Sequence, residues 1–496
     1  MRKLPKEIVL QLNHPAPRMP LMSIASRWGD ALLILVAHSF FVQRDSKQQE
    51  RSKPYPPLST ALAAAMLRDA GHDVALFDAT FAESMDGFVA VLDRVDPDIT
   101  LLLEDNFNFL TKMCTENRRG DAVRMIAAAH RRGCRVAVNG PDASDHAQIY
   151  LAAGADAVIA GEGEFTVVDL VAAFRSGEPL GDVNGLILAD AASPKLRYTS
   201  PRRHWPDLDA LPLPAWDLVD IDAYRRAWTE THGFFSWNMA ASRGCPYSCN
   251  WCAKPTFGRR YAQRSAASVA WEMQLLKQNV GPDHIWFADD IFGMSEPWIA
   301  DFAQEVVARD AVLPFLMQSR ANLINPRVAD ALRAAGAEEV WLGVESGSQK
   351  ILDAMDKGTI IAAIRTATRT LRRSGIRVGW FLQLGYPSEE WEDILLTRDL
   401  VRDEAPDDVG VSVSYPLPGT VFHHRVAAQL GAQQNWLDTN DLAMLFQGTF
   451  DTAFYRLVRD ALHSEVARRA IDDALWADLS KRVPGHRSTT PLRLQA

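Results

Sequence analysis

Residues 242–252 read SRGCPYSCNWC and place three cysteines, Cys245, Cys249 and Cys252, within eight positions. The whole chain of 496 residues contains only five cysteines. A secreted disulfide framework uses more cysteines, paired and spread along the chain. We therefore expect a reducing compartment, the cytoplasm, and a metal site at these three cysteines.

Three thiolates are one fewer than a [4Fe-4S] cluster normally takes from a protein. A set of three leaves one iron with an open coordination position, which a catalytic metal site needs. The two remaining cysteines, Cys114 and Cys134, lie far away in the first part of the chain, and we expect neither to complete the set. A structural zinc site with a distant histidine is the alternative that the triplet leaves open.

The triplet follows the first strand of an α/β series that runs from residue 237 to 420. Six short apolar segments alternate there with helical patterns, which predicts parallel strands and a partial (β/α)6 barrel. The active site of such a barrel lies at the carboxyl ends of its strands, where the cysteines also lie. The predicted strands are Asn238–Ser242, His284–Ala288, Phe315–Gln318, Glu339–Val344, Val378–Leu384 and Val409–Ser414.

Residues 1–190 also alternate between short strands and helices, which predicts a Rossmann-like α/β domain. Loops 104–108, 139–142 and 161–164 follow predicted strands, and ligands of such sheets bind beyond the carboxyl ends of the strands. The apolar stretch Ala31–Val42 is interpreted as a buried strand or helix, because it is too short to span a bilayer. The predicted strands are Glu7–Leu12, Asp73–Phe77, Ile99–Leu103, Arg135–Val138 and Ala157–Ala160.

Two further segments complete the predicted organisation. Residues 191–236 form a Pro-rich linker, whose prolines are expected to interrupt regular structure. Residues 421–496 form a mostly helical C-terminal region with a basic tail after Lys481, and we expect this region to cap the cavity. With 62 acidic against 53 basic residues and a net charge of -9, the chain does not fit a protein that coats nucleic acid. No targeting segment or membrane span is expected.

The pattern CxxxCxΦC after the first strand of a partial barrel, with Trp251 as the aromatic residue, resembles the radical S-adenosylmethionine (SAM) enzymes. In that family the open iron chelates the amino and carboxylate groups of SAM, and reductive cleavage gives a 5′-deoxyadenosyl radical. The resemblance extends to four later turns, FADDIF (287–292), GVESGS (343–348), GYPSE (385–389) and YPLPGT (415–420). Each acidic turn alone could be a helix cap, and their order after one triplet makes the resemblance specific. It implies that SAM is bound by Trp251, Asp289, Asp290, Glu345, Ser346, Gly385 and Pro387.

The first domain resembles the cobalamin-binding domain that precedes the barrel in class B radical SAM methylases and their cyclase relatives. The matching residues are 57–59, 139–143 and 161–164. The Asp-x-His-x-x-Gly motif of enzymes that ligate cobalt with histidine is absent from the sequence, so the resemblance implies cobalamin without a histidine ligand. A domain that kept the fold and lost the cofactor is the alternative. The implied cobalamin-binding residues are Glu104, Asp105, Asn106, Asn139, Gly140, Pro141, Gly161, Glu162 and Gly163.

The resemblance as a whole implies a cobalamin-dependent radical SAM enzyme that methylates an unactivated carbon of a small-molecule metabolite, by way of methylcobalamin and the 5′-deoxyadenosyl radical. Its partners would be that substrate and an electron donor such as flavodoxin or ferredoxin, and no catalytic side chain is assigned. One alternative is an oxidative cyclase like the anaerobic magnesium-protoporphyrin ester cyclases, or another radical rearrangement in tetrapyrrole or secondary-metabolite biosynthesis. An RNA-modifying radical SAM enzyme fits less well, because a second cysteine triplet is missing and the charge balance is acidic.

Overall fold

The computed structural model describes residues 31–190, 195–203, 207–252 and 256–483. The predicted strand Glu7–Leu12 lies outside the described residues, as does the basic tail from residue 484 onward. The described chain builds two large sheets of mainly parallel strands, one from the first domain and one from the barrel region. No helix in the described ranges is both long and apolar enough to cross a bilayer.

The first sheet has seven strands in the order β2-β1-β3-β4-β5-β6-β7. Strands β1 to β5 are parallel, and β6 and β7 add to one edge in antiparallel orientation. The stretch for which the sequence left strand or helix open forms β1, between β2 and β3. The strands are β1 (Leu33–Ala37), β2 (Asp73–Phe77), β3 (Ile99–Leu103), β4 (Arg135–Asn139), β5 (Ala157–Ile159), β6 (Leu186–Ala189) and β7 (Leu196–Tyr198).

Helices cover both faces of this sheet, as expected for parallel strands that are apolar on both sides. The alanine-rich helix α2 is buried along most of its length and packs against α8. The helices are α1 (Ser46–Arg51), α2 (Leu58–Asp69), α3 (Met85–Val95), α4 (Phe109–Lys112), α5 (Glu116–Arg131), α6 (Pro141–Asp145), α7 (Ala147–Ala152) and α8 (Glu164–Ser176).

The Pro-rich segment contains regular structure, so the expectation that its prolines interrupt every element is wrong. Strand β7 pairs with β6, and residues Ile221–His232 form helix α9 after the last proline of the segment. Tyr224 of α9 donates a hydrogen bond to Asp78 of the first domain (2.6 Å) and packs edge-on against Trp237 of the second sheet (5.8 Å between ring centres). Helix α9 therefore joins the two domains by direct contacts.

The second sheet has six parallel strands in the order β15-β14-β13-β12-β11-β8, which makes it an open half-barrel with β8 and β15 at its edges. A short antiparallel pair, β9 with β10, carries the chain from β8 into the cysteine loop. The strands are β8 (Ser236–Met239), β9 (Ser242–Arg243), β10 (Ala262–Gln263), β11 (His284–Phe287), β12 (Phe315–Ser319), β13 (Ala337–Glu345), β14 (Arg377–Leu384) and β15 (Asp408–Val413).

The remaining helices alternate with the strands of the second sheet and continue into the C-terminal region. They are α10 (Ala266–Asn279), α11 (Glu296–Ala308), α12 (Pro326–Ala335), α13 (Gln349–Ala354), α14 (Ile361–Arg373), α15 (Trp391–Glu404), α16 (Val421–Val426), α17 (Thr452–Arg468) and α18 (Asp473–Lys481). Helix α17 packs on the edge strand β15, while residues 430–451 contain neither helix nor strand. The fold is the predicted one, a Rossmann-like domain followed by a partial barrel and a C-terminal region that covers the open edge.

Candidate functional site

A cavity of about 1270 Å³ lies inside the half-barrel and reaches the first domain and the C-terminal region. Ligand pockets in proteins commonly measure about 300–1,000 Å³, so this cavity has room for more than one small molecule. Its walls contain all three cysteines of the triplet. The cavity is therefore the place where the sequence-predicted metal site and the space for ligands coincide.

The cysteine loop begins at a glycine that the local backbone requires. Gly244 has φ +78°, and a Cβ added there would overlap the carbonyl oxygen of Arg260. Only glycine adopts this conformation without strain, which explains the Gly before the first cysteine. The next amide, that of Cys245, donates to the carbonyl of Gly258 (3.3 Å) and ties the two ends of the loop together.

The arrangement of the cysteines differs from that of a single-metal site. Across the described ranges, no three His, Cys, Asp or Glu side chains are grouped so that they could hold one metal ion. A structural zinc needs four ligands that converge on one point. The three thiols, which line one cavity without converging, fit the donor set of a larger iron–sulfur cluster better than the zinc alternative.

Arg320, which follows β12, contacts the buried thiol of Cys249, and sequence analysis missed it. Its Nη1 lies 3.4 Å from Cys249 Sγ, and its guanidinium stacks over the Tyr247 ring at 3.8 Å. Its Nη2 donates to Thr359 Oγ1 (3.1 Å) and to the carbonyl of Lys357. The position of Arg320 at the carboxyl end of β12 was the only signal in the sequence that could have identified it.

Three predicted carboxylates line the cavity with Trp251 and the cysteines: Asp289, Asp290 and Glu345. Asp289 accepts hydrogen bonds from Ser242 Oγ and from the amide of Ala241 (3.1 Å). Burial raises the pKa of Asp289 to about 7, and the neighbouring Asp290 adds to the rise. The other two carboxylates each have a lysine partner.

The lysine partners come from different parts of the chain. Lys112, at the end of α4 in the first domain, pairs with Asp290 across the domain boundary. Lys357 pairs with Glu345 (2.6 Å), and both side chains are buried. Hydrogen bonds to charged groups are stronger than neutral ones, so these pairs fix the carboxylates at the cavity wall.

Three residues that the resemblance assigns to SAM do not line the cavity, namely Ser346, Gly385 and Pro387. Ser346 Oγ lies 3.2 Å from the hydroxyl of Thr397 and accepts from the amide of Ser348 (3.1 Å). The amide of Gly385 donates to Glu389 Oε2 (2.6 Å), which closes the Gly-x-Pro-x-Glu turn on itself. In this structure the motif organises a turn beside the cavity.

Replacing Glu389 with glutamine is expected to flatten the pH dependence of stability. The side chain is fully buried, and burial raises its pKa from 4.5 to about 8. Because the unfolded chain releases this proton at lower pH, the raised pKa makes stability fall as pH rises from 4.5 to about 8. Within that window Glu389 contributes a slope of up to about 1.4 kcal/mol per pH unit.

Glutamine keeps the oxygen that accepts from Gly385 and cannot ionise, so Glu389→Gln should lack this slope. Urea unfolding at several pH values measures it, with the exposed Glu338→Gln as the matched control that keeps the wild-type profile. Parallel stability curves for Glu389→Gln and the wild type would contradict the prediction.

None of the nine predicted cobalamin-binding residues lines the main cavity. Several hold one another at the carboxyl edge of the first sheet: Asn106 Nδ2 donates to Asn139 Oδ1 (2.8 Å), and a Cβ on Gly163 would lie 2.7 Å from the same oxygen. Glu104 pairs with Arg118 (2.7 Å), and a Cβ on Gly140 would contact Glu104 at 3.0 Å.

The four remaining residues of this set have different surroundings. Glu162 pairs with Arg243 of the barrel (2.9 Å), beside the cysteine loop. Asp105 accepts from the amides of Ser59 (3.2 Å) and Phe107 (3.3 Å), and its Oδ2 is buried without a hydrogen-bond partner within the described chain. Pro141 lines a separate small cavity beside Cys114, and Gly161 accepts from Asn139 (3.0 Å).

From the loop after β3 and from helix α4 and its end, the first domain instead presents Phe107, Lys112 and Met113 to the cavity. These residues follow β3, so their position beyond a strand's carboxyl end was the signal that could have identified them. The cavity volume and the apolar side chains of Phe107 and Met113 suit a large planar ligand in this part of the cavity. Of the first-domain residues that line the cavity, none within the described ranges is a histidine.

Comparison with known proteins identifies both domains. Residues 239–401 match the Radical SAM superfamily model, and residues 50–171 match the B12 binding domain model. An uncharacterised methyltransferase of Pyrococcus horikoshii is 27% identical over 77% of this chain and 81% of its own length. An anaerobic magnesium-protoporphyrin IX monomethyl ester cyclase of Synechocystis is 27% identical over 65% of this chain, which spans 63% of that protein.

The fold is also found in a solved structure. The radical S-adenosylmethionine methyltransferase TsrM of Kitasatospora setae, solved with cobalamin and a [4Fe-4S] cluster, superposes with a TM-score of 0.67 at 20% identity. The match covers 81% of this chain and 75% of TsrM, and it shows a shared fold. The sequence-based recognition is confirmed. With a B12-binding domain, a radical SAM half-barrel and a cysteine triplet at the carboxyl ends of its strands, the chain belongs to the cobalamin-binding radical SAM superfamily, whose enzymes use a [4Fe-4S] cluster, SAM and cobalamin.

Proposed function

We propose that this protein is a methyltransferase that acts on an unactivated carbon of a small-molecule metabolite. One observation carries the proposal: a single cavity is lined both by the cysteine triplet and by Phe107, Lys112 and Met113 of the B12-binding domain. A substrate in this cavity would be in reach of both cofactor sites. When bound, the cluster with SAM supplies a radical that abstracts hydrogen, and cobalamin supplies the methyl group.

The residues of the cavity have distinct proposed roles. Cys245, Cys249 and Cys252 would hold the cluster, and the carboxylates of Asp289, Asp290 and Glu345 would accept hydrogen bonds from the ammonium and hydroxyl groups of SAM. Phe107, Lys112 and Met113 would face the corrin ring.

The C-terminal region contributes Trp436 and Leu442 to the cavity wall. These apolar side chains would exclude water, which protects reactive intermediates from side reactions.

Two features of the cellular setting remain proposals. All five cysteines are free of disulfide bonds, which supports a reducing compartment, the cytoplasm. The cleavage of SAM needs one electron, and we propose a reduced flavodoxin or ferredoxin as its donor.

The acidic charge balance supports a small-molecule substrate over a nucleic acid.

Anaerobically reconstituted protein tests the function when it is incubated with methyl-deuterated SAM, a reductant and a small-molecule extract of cells that lack this enzyme. We expect 5′-deoxyadenosine and a product that carries the deuterated methyl group. Protein prepared without iron is the control and should give neither. A product that gains oxygen and loses hydrogen without label would contradict methyl transfer and favour the oxidative cyclase.

A further inference from the structure

The cavity continues from the cysteine loop to the opposite end of the half-barrel. Lys53 lines it there, and this lysine acts electrostatically on His284 and Glu339, which lie at the amino ends of β11 and β13. A strand as long as β13 spans roughly 25 Å. The two ends of the cavity are therefore far enough apart to serve different ligands.

Helices α1 and α17 form the wall at this amino end. Residues 459–460, 463–464 and 467–468 of α17 line the cavity, and this spacing of four places them on one helix face. From α1 and the residues after it, Lys47, Gln48, Glu50, Arg51 and Lys53 line the same region.

The two ends of the cavity differ in charge. At the cysteine end, the cavity wall contains as many cations as carboxylates. The cations are Lys112, Arg320 and Lys357, and the carboxylates are Asp289, Asp290 and Glu345. At the amino end, five cations stand against two carboxylates: Lys47, Arg51, Lys53, Arg459 and Arg468 against Glu50 and Asp460. Within the described chain, Arg51, Lys53 and Arg468 have no ion-pair partner. Among the described residues that line the cavity, the amino end therefore carries more positive than negative charge.

These cations lie close enough to repel one another. Burial lowers the pKa of Lys47 to about 8, and the guanidinium groups of Arg51 and Arg459 add to the lowering. The same three cations oppose the protonation of His463, whose pKa is lowered chiefly by burial. Asp45 and Asp438 counter part of this repulsion at Lys47, and the Asp45 carboxylate also accepts hydrogen bonds from Thr439.

An apolar middle section connects the two ends. The rings of Trp341 and Phe381 stand 4.8 Å apart in the cavity wall. The fold makes room for them with two glycines: a Cβ on Gly379 would lie 2.5 Å from the Trp341 ring, and one on Gly410 would contact both rings at 3.3 Å. The Trp341 indole is also fixed by its hydrogen bond to Glu339 (2.5 Å).

We propose that the amino end of the cavity binds the anionic group of the substrate, a phosphate or a carboxylate. The apolar part of the substrate lies along Trp341 and Phe381, and its reacting carbon points towards the cysteine end. This inference rests on the proposed function, because it assumes that the cavity holds a small-molecule substrate. It defines the substrate class as an elongated, amphipathic anion.

Calorimetric titration of the reconstituted holoenzyme with three probes of one shape tests the proposal. Naphthyl phosphate, naphthoate and naphthol share the aromatic body and differ in charge. We expect one of the two anions to bind at least about tenfold more tightly than neutral naphthol, since hydrogen bonds to charged groups are the stronger ones. The tighter of the two anions identifies the group as phosphate or carboxylate.

The double variant Lys47→Gln/Arg51→Gln should bind that anion about tenfold more weakly and leave naphthol binding unchanged. Arg468→Gln, at the end of α17, is a second variant that keeps the test possible if the first does not fold. Arg327→Gln is the matched control, because Arg327 is an 88% exposed cation outside the cavity.

Equal affinity for all three probes, or anion binding that neither cavity variant weakens, would overturn the proposal. Formation of 5′-deoxyadenosine by the wild-type protein is measured in the same preparation. Its absence would count against the proposed function and not against the anion site, so the two failures can be told apart.

Discussion

Replacing Arg243 with methionine is expected to lower the free energy of unfolding by about 3–5 kcal/mol, which is typical when one partner of a buried ion pair is removed. Arg243 lies on β9, directly before the cysteine loop, and only 4% of its side chain is exposed. It donates to Glu162 (2.9 Å) and to Glu164 (3.0 Å), both of which belong to the first domain. Methionine would remove this guanidinium from both carboxylates, of which that of Glu164 is buried.

The surroundings of Arg243 add to this expected cost. Its guanidinium lies over the rings of Phe107 (5.4 Å) and Phe257 (5.2 Å), so water cannot replace the lost contacts easily. Urea unfolding of the variant measures the effect. Arg135→Met is the matched control: Arg135 pairs with Asp156 at 2.8 Å with 62% of its side chain exposed, and we expect a loss below about 1 kcal/mol.

A triple variant separates charge from packing. If unpaired carboxylates cause the loss, Arg243→Met combined with Glu162→Gln and Glu164→Gln should recover most of the stability, because apolar or neutral replacement of a buried ion pair is often tolerated. If Arg243→Met and Arg135→Met lower the free energy of unfolding equally, the buried ion pair stabilises the protein no more than the exposed one.

Replacing Cys249 with alanine is expected to abolish the cluster and to reduce reductive cleavage of SAM by at least ~1,000-fold, equivalent to about 4 kcal/mol in the activation barrier. Cys249 is the buried member of the triplet and the one that Arg320 contacts. Two remaining thiolates cannot hold three irons of a [4Fe-4S] cluster. Bound iron, the EPR signal of the reduced cluster and 5′-deoxyadenosine together measure the outcome.

Cys134→Ala provides the control for the loss of a buried thiol. Cys134 is also buried, and its thiol donates to the carbonyl of Pro97 (3.3 Å) in the first domain. We expect this variant to bind iron and cleave SAM as the wild type does. A full cluster in Cys249→Ala, or a lost cluster in Cys134→Ala, would refute the assignment of the triplet.

The Gly-Glu-Gly-Glu motif illustrates how one local pattern supports two interpretations. The resemblance assigned Gly161, Glu162 and Gly163 to cobalamin, whereas the structure pairs Glu162 and Glu164 with Arg243 of the barrel. Both uses need a turn at a strand's carboxyl end, and the sequence shows only the turn. Which partner the carboxylates have depends on a residue about 80 positions away, which no local period encodes.

The sequence by itself determined the two α/β domains, most of the parallel strands and the cysteine loop. Hydrophobic period, glycine at turns and cysteine spacing are local properties, and each is set by the backbone within one or two elements. The strand for residues 33–37 was the ambiguous case, because a short buried apolar run fits strand and helix equally well.

Only the tertiary structure decided which side chains meet in the cavity. Arg320, Lys112 and Lys357 reach the cysteines and carboxylates from separate segments, and α1 and α17 bring cations together from opposite ends of the chain. Such contacts depend on how helices and domains pack against one another. Packing is a property of the whole chain, because each contact buries or neutralises side chains that lie far apart in sequence.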